Sequence, residues 1–158
     1  MQNGVTTFKE EIERNGVLAY TNKGVSMMPL LRQDRDVMVI KKGAPPYNKY
    51  DAVLFMRENG QYVLHRIIKC LDNGTYYIVG DNCIKGEYVK EENIIGVLTS
   101  VKRGKRTVKV TDRGYLIYVH LWCDFFRTRV LILKGKAFAH RCLSFVKRRV
   151  RRVIKGNA

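Results

Sequence analysis

A chain of 158 residues is long enough for one domain with its own core plus an extension, and a hydrophobic content of 46% excludes a wholly disordered polypeptide. The formal net charge of +16 is unevenly placed: residues 1–100 hold 13 Lys and Arg against 12 Asp and Glu, whereas residues 101–158 hold 17 against 2. That distribution argues against nucleic-acid binding by the chain as a whole and divides it into two physically different parts. Thr6 to Asn15 reads as a short polar helix ended by Gly16, and its charges leave no apolar stretch of the kind a secretory signal needs. Val17 to Thr21 is a short strand. Gly24 to Leu31 is apolar but interrupted by Pro29, which suits neither a strand nor a helix interior. Asp36 to Lys41 is a strand by its β-branched content, and Gly43 to Tyr50, with Pro45 and Pro46, is a loop.

Ala52 to Arg57, Gln61 to Leu71 and Thr75 to Val79 form a three-stranded meander, its hairpins marked by Asn59-Gly60 and Asn73-Gly74, read as two-residue turns. Asn93 to Lys102 is a further strand, and Thr107 to Val110 pairs with it across Arg103-Gly104. After Thr111 the composition changes. Tyr115 to Phe126 is dense in aromatics, and Phe138, Cys142, Phe145 and Val146 fall on one helical face next to Lys147, Arg148, Arg149, Arg151 and Arg152. The expected organisation is a mainly β domain over residues 1–110 and a basic amphipathic helical extension over residues 111–158. No run of about 18 uncharged apolar residues exists for a simple membrane-spanning helix. Cys70, Cys83, Cys123 and Cys142 lack zinc spacing, and without a signal peptide reduced cytoplasmic thiols are expected.

Three residues stand out chemically: Ser26 in a constrained loop, His65 inside a strand, and Asp81 after Gly80. A serine becomes a nucleophile when a base removes its proton and a further group fixes that base. With a two-residue turn at Asn73-Gly74, His65 faces Asn82 and Arg66 faces Asp81. Strict alternation then puts Asp81 on the opposite face from His65, so either the chain bends near Gly80 or Asp81 forms a cross-strand ion pair with Arg66. His65, His120 and His140 have no ligand spacing with acids or cysteines, which disfavours a metal site.

Gly24-Val25-Ser26-Met27-Met28-Pro29 resembles the Ser-Met-x-Pro box of type I signal peptidases. Tyr50-Asp51-Ala52-Val53 is similar to that family's Gly-Asp-x-Val strand start, with Tyr in place of Gly. Leu64-His65-Arg66-Ile67 resembles the His-Arg-Ile/Val box of the endoplasmic-reticulum, archaeal and spore-former branch, and Gly80-Asp81-Asn82 matches the Gly-Asp-Asn box that follows. The four boxes occur in the family's order across about Gly24 to Lys102. The resemblance implies a β-rich domain of coiled antiparallel sheets, of the signal-peptidase/LexA-like type, acting as a serine endopeptidase without a cofactor. It implies Ser26 as nucleophile, His65 as general base, Asp81 as the acid that holds the imidazole, and the Ser26 backbone N–H as an oxyanion donor. Glu87 occupies the position of the branch's second acid. Substrates would be signal, leader or precursor peptides with small side chains before the cut. Gly24 stands where the family often has a supporting Ser.

The basic segment is expected to bind an anionic membrane surface from the cytoplasmic side, with Tyr115, Tyr118, Trp122, Phe125 and Phe126 at the headgroup boundary. The alternative is a helical pair packed on the β domain, with a cytoplasmic protein as the result. Two other functions compete: a self-cleaving regulator, and a catalytically silent module whose tail binds lipid or nucleic acid.

Overall fold

The computed structural model describes residues 7–125, 128–135, 138–139 and 141. The first helix, α1 (Phe8–Asn15), is bounded as its sequence requires. The Thr7 hydroxyl accepts from the Glu10 N–H, the Glu10 carboxylate accepts from the Thr7 N–H, and Gly16 closes the last turn onto Ile12 O. Eight strands follow: β1 (Val17–Thr21), β2 (Val37–Lys42), β3 (Ala52–Met56), β4 (Tyr62–Cys70), β5 (Thr75–Val79), β6 (Glu87–Lys90), β7 (Ile94–Arg103) and β8 (Arg106–Lys109). One turn of 3-10 helix, Glu91–Asn93, precedes β7, and α2 (Arg113–Cys123) follows β8. All strand pairs are antiparallel. The sheet order is β1-β2-β7-β3-β4-β5-β6, with β8 paired to β7.

The expectation of a mainly β chain holds, and the strand missed by pattern is β6. The meander keeps its place but not its turns. Arg57 N–H bonds Gln61 O and Leu71 N–H bonds Thr75 O, both at 2.9 Å, so each hairpin closes with three residues rather than two. Gly60 and Gly74 take the positive φ (79° and 68°) that such loops require. A bulge between Ile67 and Lys69 shifts the register again, and Arg66 faces Val79. Continued by one step, His65 comes level with Gly80, not with Asn82.

Strand β3 is buried on both faces, which explains its unbroken apolar run. Ala52 and Leu54 join a cluster with Leu18, Met38, Ile40, Leu64, Leu98 and Val101, contributed by β1, β2, β4 and β7. Val53 and Phe55 point the other way, against Ile67, Tyr76, Ile78, Val89 and Ile94. The Phe8 ring of α1 lies 4.6 Å from Tyr20 on β1 and 5.0 Å from Tyr62 on β4, centroid to centroid. The sheet therefore curls until β1 and β4 approach one another, with α1 between them. Register shifts in the β2–β7, β3–β7 and β4–β5 pairs accompany that curl.

The chain divides into two compact units, Met1–Asp124 and Phe125–Ala158. Helix α2 therefore belongs with the sheet, although composition assigned it to an extension beginning at residue 111. Its Tyr115, Val119 and Cys123 are buried, packed with Leu30, Tyr50, Ile68, Val108 and Val110. Tyr115, Tyr118 and Trp122 were expected at a lipid boundary; they are the inward stripe of this helix, and their polar atoms bond within the domain. Leu116, Ile117 and Leu121 are exposed instead. In the second unit, residues 128–135 are helical. Phe126, Cys142, Phe145, Val146, Lys147, Arg148, Arg149, Arg151 and Arg152 lie outside the described residues. No described helix is long and apolar enough to cross a membrane.

Candidate active site

Ser26 sits in the loop joining β1 to β2, and that loop is held at three levels. At its base, Asn22 N–H bonds Asp36 O (2.9 Å) and Asp34 N–H bonds Asn22 O (2.7 Å). Asp36 is fully buried, and its carboxylate accepts from Arg35, Arg103 and the Arg32 N–H. Burial opposes that charge, but the two guanidiniums outweigh it and hold the carboxyl well below the usual carboxylate range. In the middle, Met27 and Leu31 are plugs in the first core cluster, 1% and 0% exposed, each stabilising the loop by about 2 kcal/mol of apolar burial. At the tip, Asn82 N–H bonds Ser26 O at 2.7 Å and Asn82 Nδ2 bonds Val25 O at 3.1 Å. Ser26 is thus half-buried between an exposed Val25 and an anchored Met27. Among the described residues neither its hydroxyl nor its N–H has a hydrogen-bond partner.

His65 lies on β4, opposite Val53 and only 6% exposed. A Cβ added to Gly80 would meet His65 Nε2, Cys83 Sγ and Ser26 O, each at 2.8 Å. Three segments therefore converge on one point that only glycine leaves open. The imidazole Nε2 and the serine main chain are within twice that distance of each other, although no hydrogen bond joins Ser26 Oγ to Nε2. On the other side of the ring, Nδ1 is buried without a hydrogen bond and lies 3.6 Å from Glu87 Oε1 on β6. That exceeds a hydrogen bond, and a movement of about half an ångström would make one. Burial lowers the His65 pKa from 6.5 to about 4, with Glu87 pulling it up and Arg57 pushing it down. The imidazole is accordingly neutral at pH 7. Because the folded value is the lower one, this group's stability contribution is complete above about pH 6.5. It is lost as the pH falls toward 4.

Asp81 does not orient His65. Its carboxylate accepts both arms of the Arg66 guanidinium (Nε 2.9 Å, Nη2 2.7 Å) and the Tyr118 hydroxyl at 2.8 Å. Trp122 Nε1 bonds its backbone oxygen at 2.7 Å. Arg66 also donates to Tyr50 O and to the Tyr115 hydroxyl. The pair is wholly buried, and the cross-strand ion pair is the alternative the geometry favours. Alternation along β4 is the cause: Arg66 and His65 are neighbours on opposite faces. Glu87 is the acid that shares His65's side. It was legible only as a position, since the short strand bearing it, Glu-Tyr-Val-Lys, lacks a β-branched run. Asn82 and Arg57 were missed. The spacing of Tyr115, Tyr118 and Trp122 was the available signal that α2 packs inward.

A cleft of about 540 Å³ opens beside these residues. Ser26, His65, Cys83 and Arg57 stand among its lining, and Phe8, Tyr20, Met38, Leu54 and Tyr62 supply an apolar wall. Four consecutive β4 residues, Tyr62–His65, line it as well. They pair with β3 on one side, whereas β5 begins to pair only at Arg66, so among the described residues their other edge has no strand partner. Among the described residues no group of three His, Cys, Asp or Glu is arranged to hold a metal ion. No protein-family model matches the chain, and no curated protein matches it either.

The two acids are expected to separate on substitution. Asp81→Asn removes one partner of a buried ion pair and is expected to lower unfolding free energy by about 3–5 kcal/mol, read by urea denaturation. Glu87→Gln, half-buried and near the surface, is expected to leave the midpoint almost unchanged. It should move the His65 titration, followed by NMR, further below its wild-type midpoint because Glu87 favours the charged ring. Equal stability losses in both variants would contradict this division.

Proposed function

We propose that this chain is a serine endopeptidase of the type I signal peptidase kind, built on a signal-peptidase/LexA-like sheet, with Ser26 as nucleophile and His65 as base. The observation that carries the reading is the convergence of Ser26, His65 Nε2 and Gly80 at one end of an apolar cleft. Tyr50 adds support. Its φ of 80° is the conformation a glycine adopts, as expected if Tyr50-Asp51-Ala52-Val53 corresponds to the family's Gly-Asp-x-Val segment.

A peptide extended along the free edge of Tyr62–His65 would bond through its main chain and place its side chains against the apolar wall. The Ser26 hydroxyl attacks the scissile carbonyl carbon and His65 Nε2 takes its proton. The carbonyl oxygen becomes an oxyanion and accepts from the Ser26 N–H, a contact worth about 3–4 kcal/mol in the best-studied case of a single donor. His65 then returns the proton to the leaving amine, and water, activated by the same ring, hydrolyses the acyl-enzyme. Glu87, drawn to Nδ1 as the ring charges, stabilises the imidazolium. This chemistry calls on no cofactor. Small residues before the cut are the expected substrates, as the resemblance implies.

Membrane association is the second part of the proposal. Residues beyond Asp124 are read as the basic amphipathic extension, with 11 Lys and Arg and no Asp or Glu, and the exposed Leu116, Ile117 and Leu121 of α2 precede it in sequence. That composition suits peripheral binding to an anionic surface.

Ser26→Ala and His65→Ala are each expected to abolish cleavage of a precursor peptide, read by mass spectrometry, with unchanged circular dichroism. Full activity in either variant would end the protease reading. The acid limb of kcat/KM is expected near pH 4, the depressed His65 value, rather than near 6.5. In flotation, the full chain should rise with vesicles containing anionic lipid and be released by high salt; a chain that stays down with every lipid composition has no such anchor.

A further inference from the structure

The side chain with the most bonds in the cleft is not one of the candidate reacting groups. Arg57, the residue after β3, donates Nε to Glu87 Oε2 at 2.8 Å and Nη2 to Glu87 Oε1 at 2.5 Å, a two-armed clamp. Its third arm, Nη1, bonds Gln61 Oε1 at 2.7 Å, and its own N–H bonds Gln61 O. The guanidinium is thereby fixed to the β3–β4 hairpin, on the strand pair that carries His65. Glu87 has few other restraints: it stands at the start of a four-residue edge strand paired only with β5. Without Arg57, no described hydrogen bond keeps its carboxylate back from the imidazole 3.6 Å away.

We infer that Arg57 is a positioning residue that holds Glu87 beside His65 Nδ1, short of a hydrogen bond, until the ring receives a proton from the nucleophile. The inference rests on the peptidase reading of the site. The clamp occupies both carboxylate oxygens and sets Glu87 Oε1 at 3.6 Å from Nδ1, beyond a hydrogen bond but close enough to form one with a ring that becomes charged. The other groups facing His65 do not substitute for it. Asp81 is committed to Arg66 on the far face of β4, Phe55 offers a ring 6.1 Å away, and Ser26 and Cys83 meet the Nε2 side. Arg57 and Glu87 act on the imidazole in opposite directions, so removing the arginine both deletes a repulsion and frees an attraction.

The test is the His65 midpoint by NMR in the full chain, for wild type, Arg57→Met and Arg57→Lys. The Met variant is expected to titrate about one pH unit or more above wild type, with the acid limb of kcat/KM moving by the same amount and kcat falling while KM changes little. The Lys variant keeps the charge without the fork; its midpoint should stay near wild type although kcat falls. An unmoved midpoint in a folded Arg57→Met chain overturns the inference, as does a midpoint in the Lys variant that moves as far as in Met. Should Arg57→Met fail to fold, the Lys variant together with Arg57→Gln decides by the same readout. The titration needs no turnover, so the inference fails on the NMR midpoint and the peptidase reading fails on wild-type cleavage, and the two failures are told apart.

Discussion

The buried ion pair between Arg66 and Asp81 organises this molecule. Two opposite charges with no solvent exposure need further hydrogen bonds to offset their desolvation, and here Tyr50, Tyr115 and Tyr118 supply three. Burial works against the Arg66 charge, and Asp81 more than restores it. The consequence is geometric. Asp81 fixes the turn after β5, so Gly80 is pressed against His65 and Asn82 reaches the Ser26 loop. It also recruits α2, whose Tyr118 and Trp122 grip the same residue. Helix, meander and serine loop are thus tied at one aspartate that the imidazole never touches.

The site's electrostatics follow from which face of β4 each acid meets. On the α2 face, a fully desolvated carboxylate is neutralised by a guanidinium and contributes rigidity. On the cleft face, Glu87 is part-exposed, clamped by Arg57, and stops short of His65. The imidazole between Phe55, Gly80 and Glu87 is dry enough to stay neutral, which suits a base and would not suit a resident cation. A single strand thereby carries a structural ion pair and a candidate proton acceptor on adjacent residues, kept apart by the pleat.

How much of this was legible in the sequence depended on the range of the interaction. Local signals read well: the Thr7 to Gly16 helix, the β-branched run of β2, and the meander with its glycine turns. Register read poorly, because one extra loop residue at Asn73-Gly74 and one bulge after Ile67 moved His65 from Asn82 to Gly80. Ser26, His65 and Glu87 could be named, but their proximity could not, since it depends on Met27 and Leu31 reaching a core built from five strands. For Asp81 the sequence left two partners open, His65 and Arg66, and could not choose Arg66 because the Tyr118 and Trp122 bonds that complete the arrangement come from α2, 37 and 41 positions on. The aromatics of that helix were read as a lipid boundary for the same reason: composition registers amphipathicity but not what covers the apolar face.

The central claim is that Ser26 and His65 form one reacting pair at the end of the cleft. A crystal structure of the full chain with a peptide aldehyde ending in a small residue tests it most directly. The account predicts a covalent bond from Ser26 Oγ to the aldehyde carbon, His65 Nε2 beside it, and the peptide lying along Tyr62–His65. An unmodified Ser26 with the aldehyde bound elsewhere, or an imidazole turned away from the adduct, would contradict it.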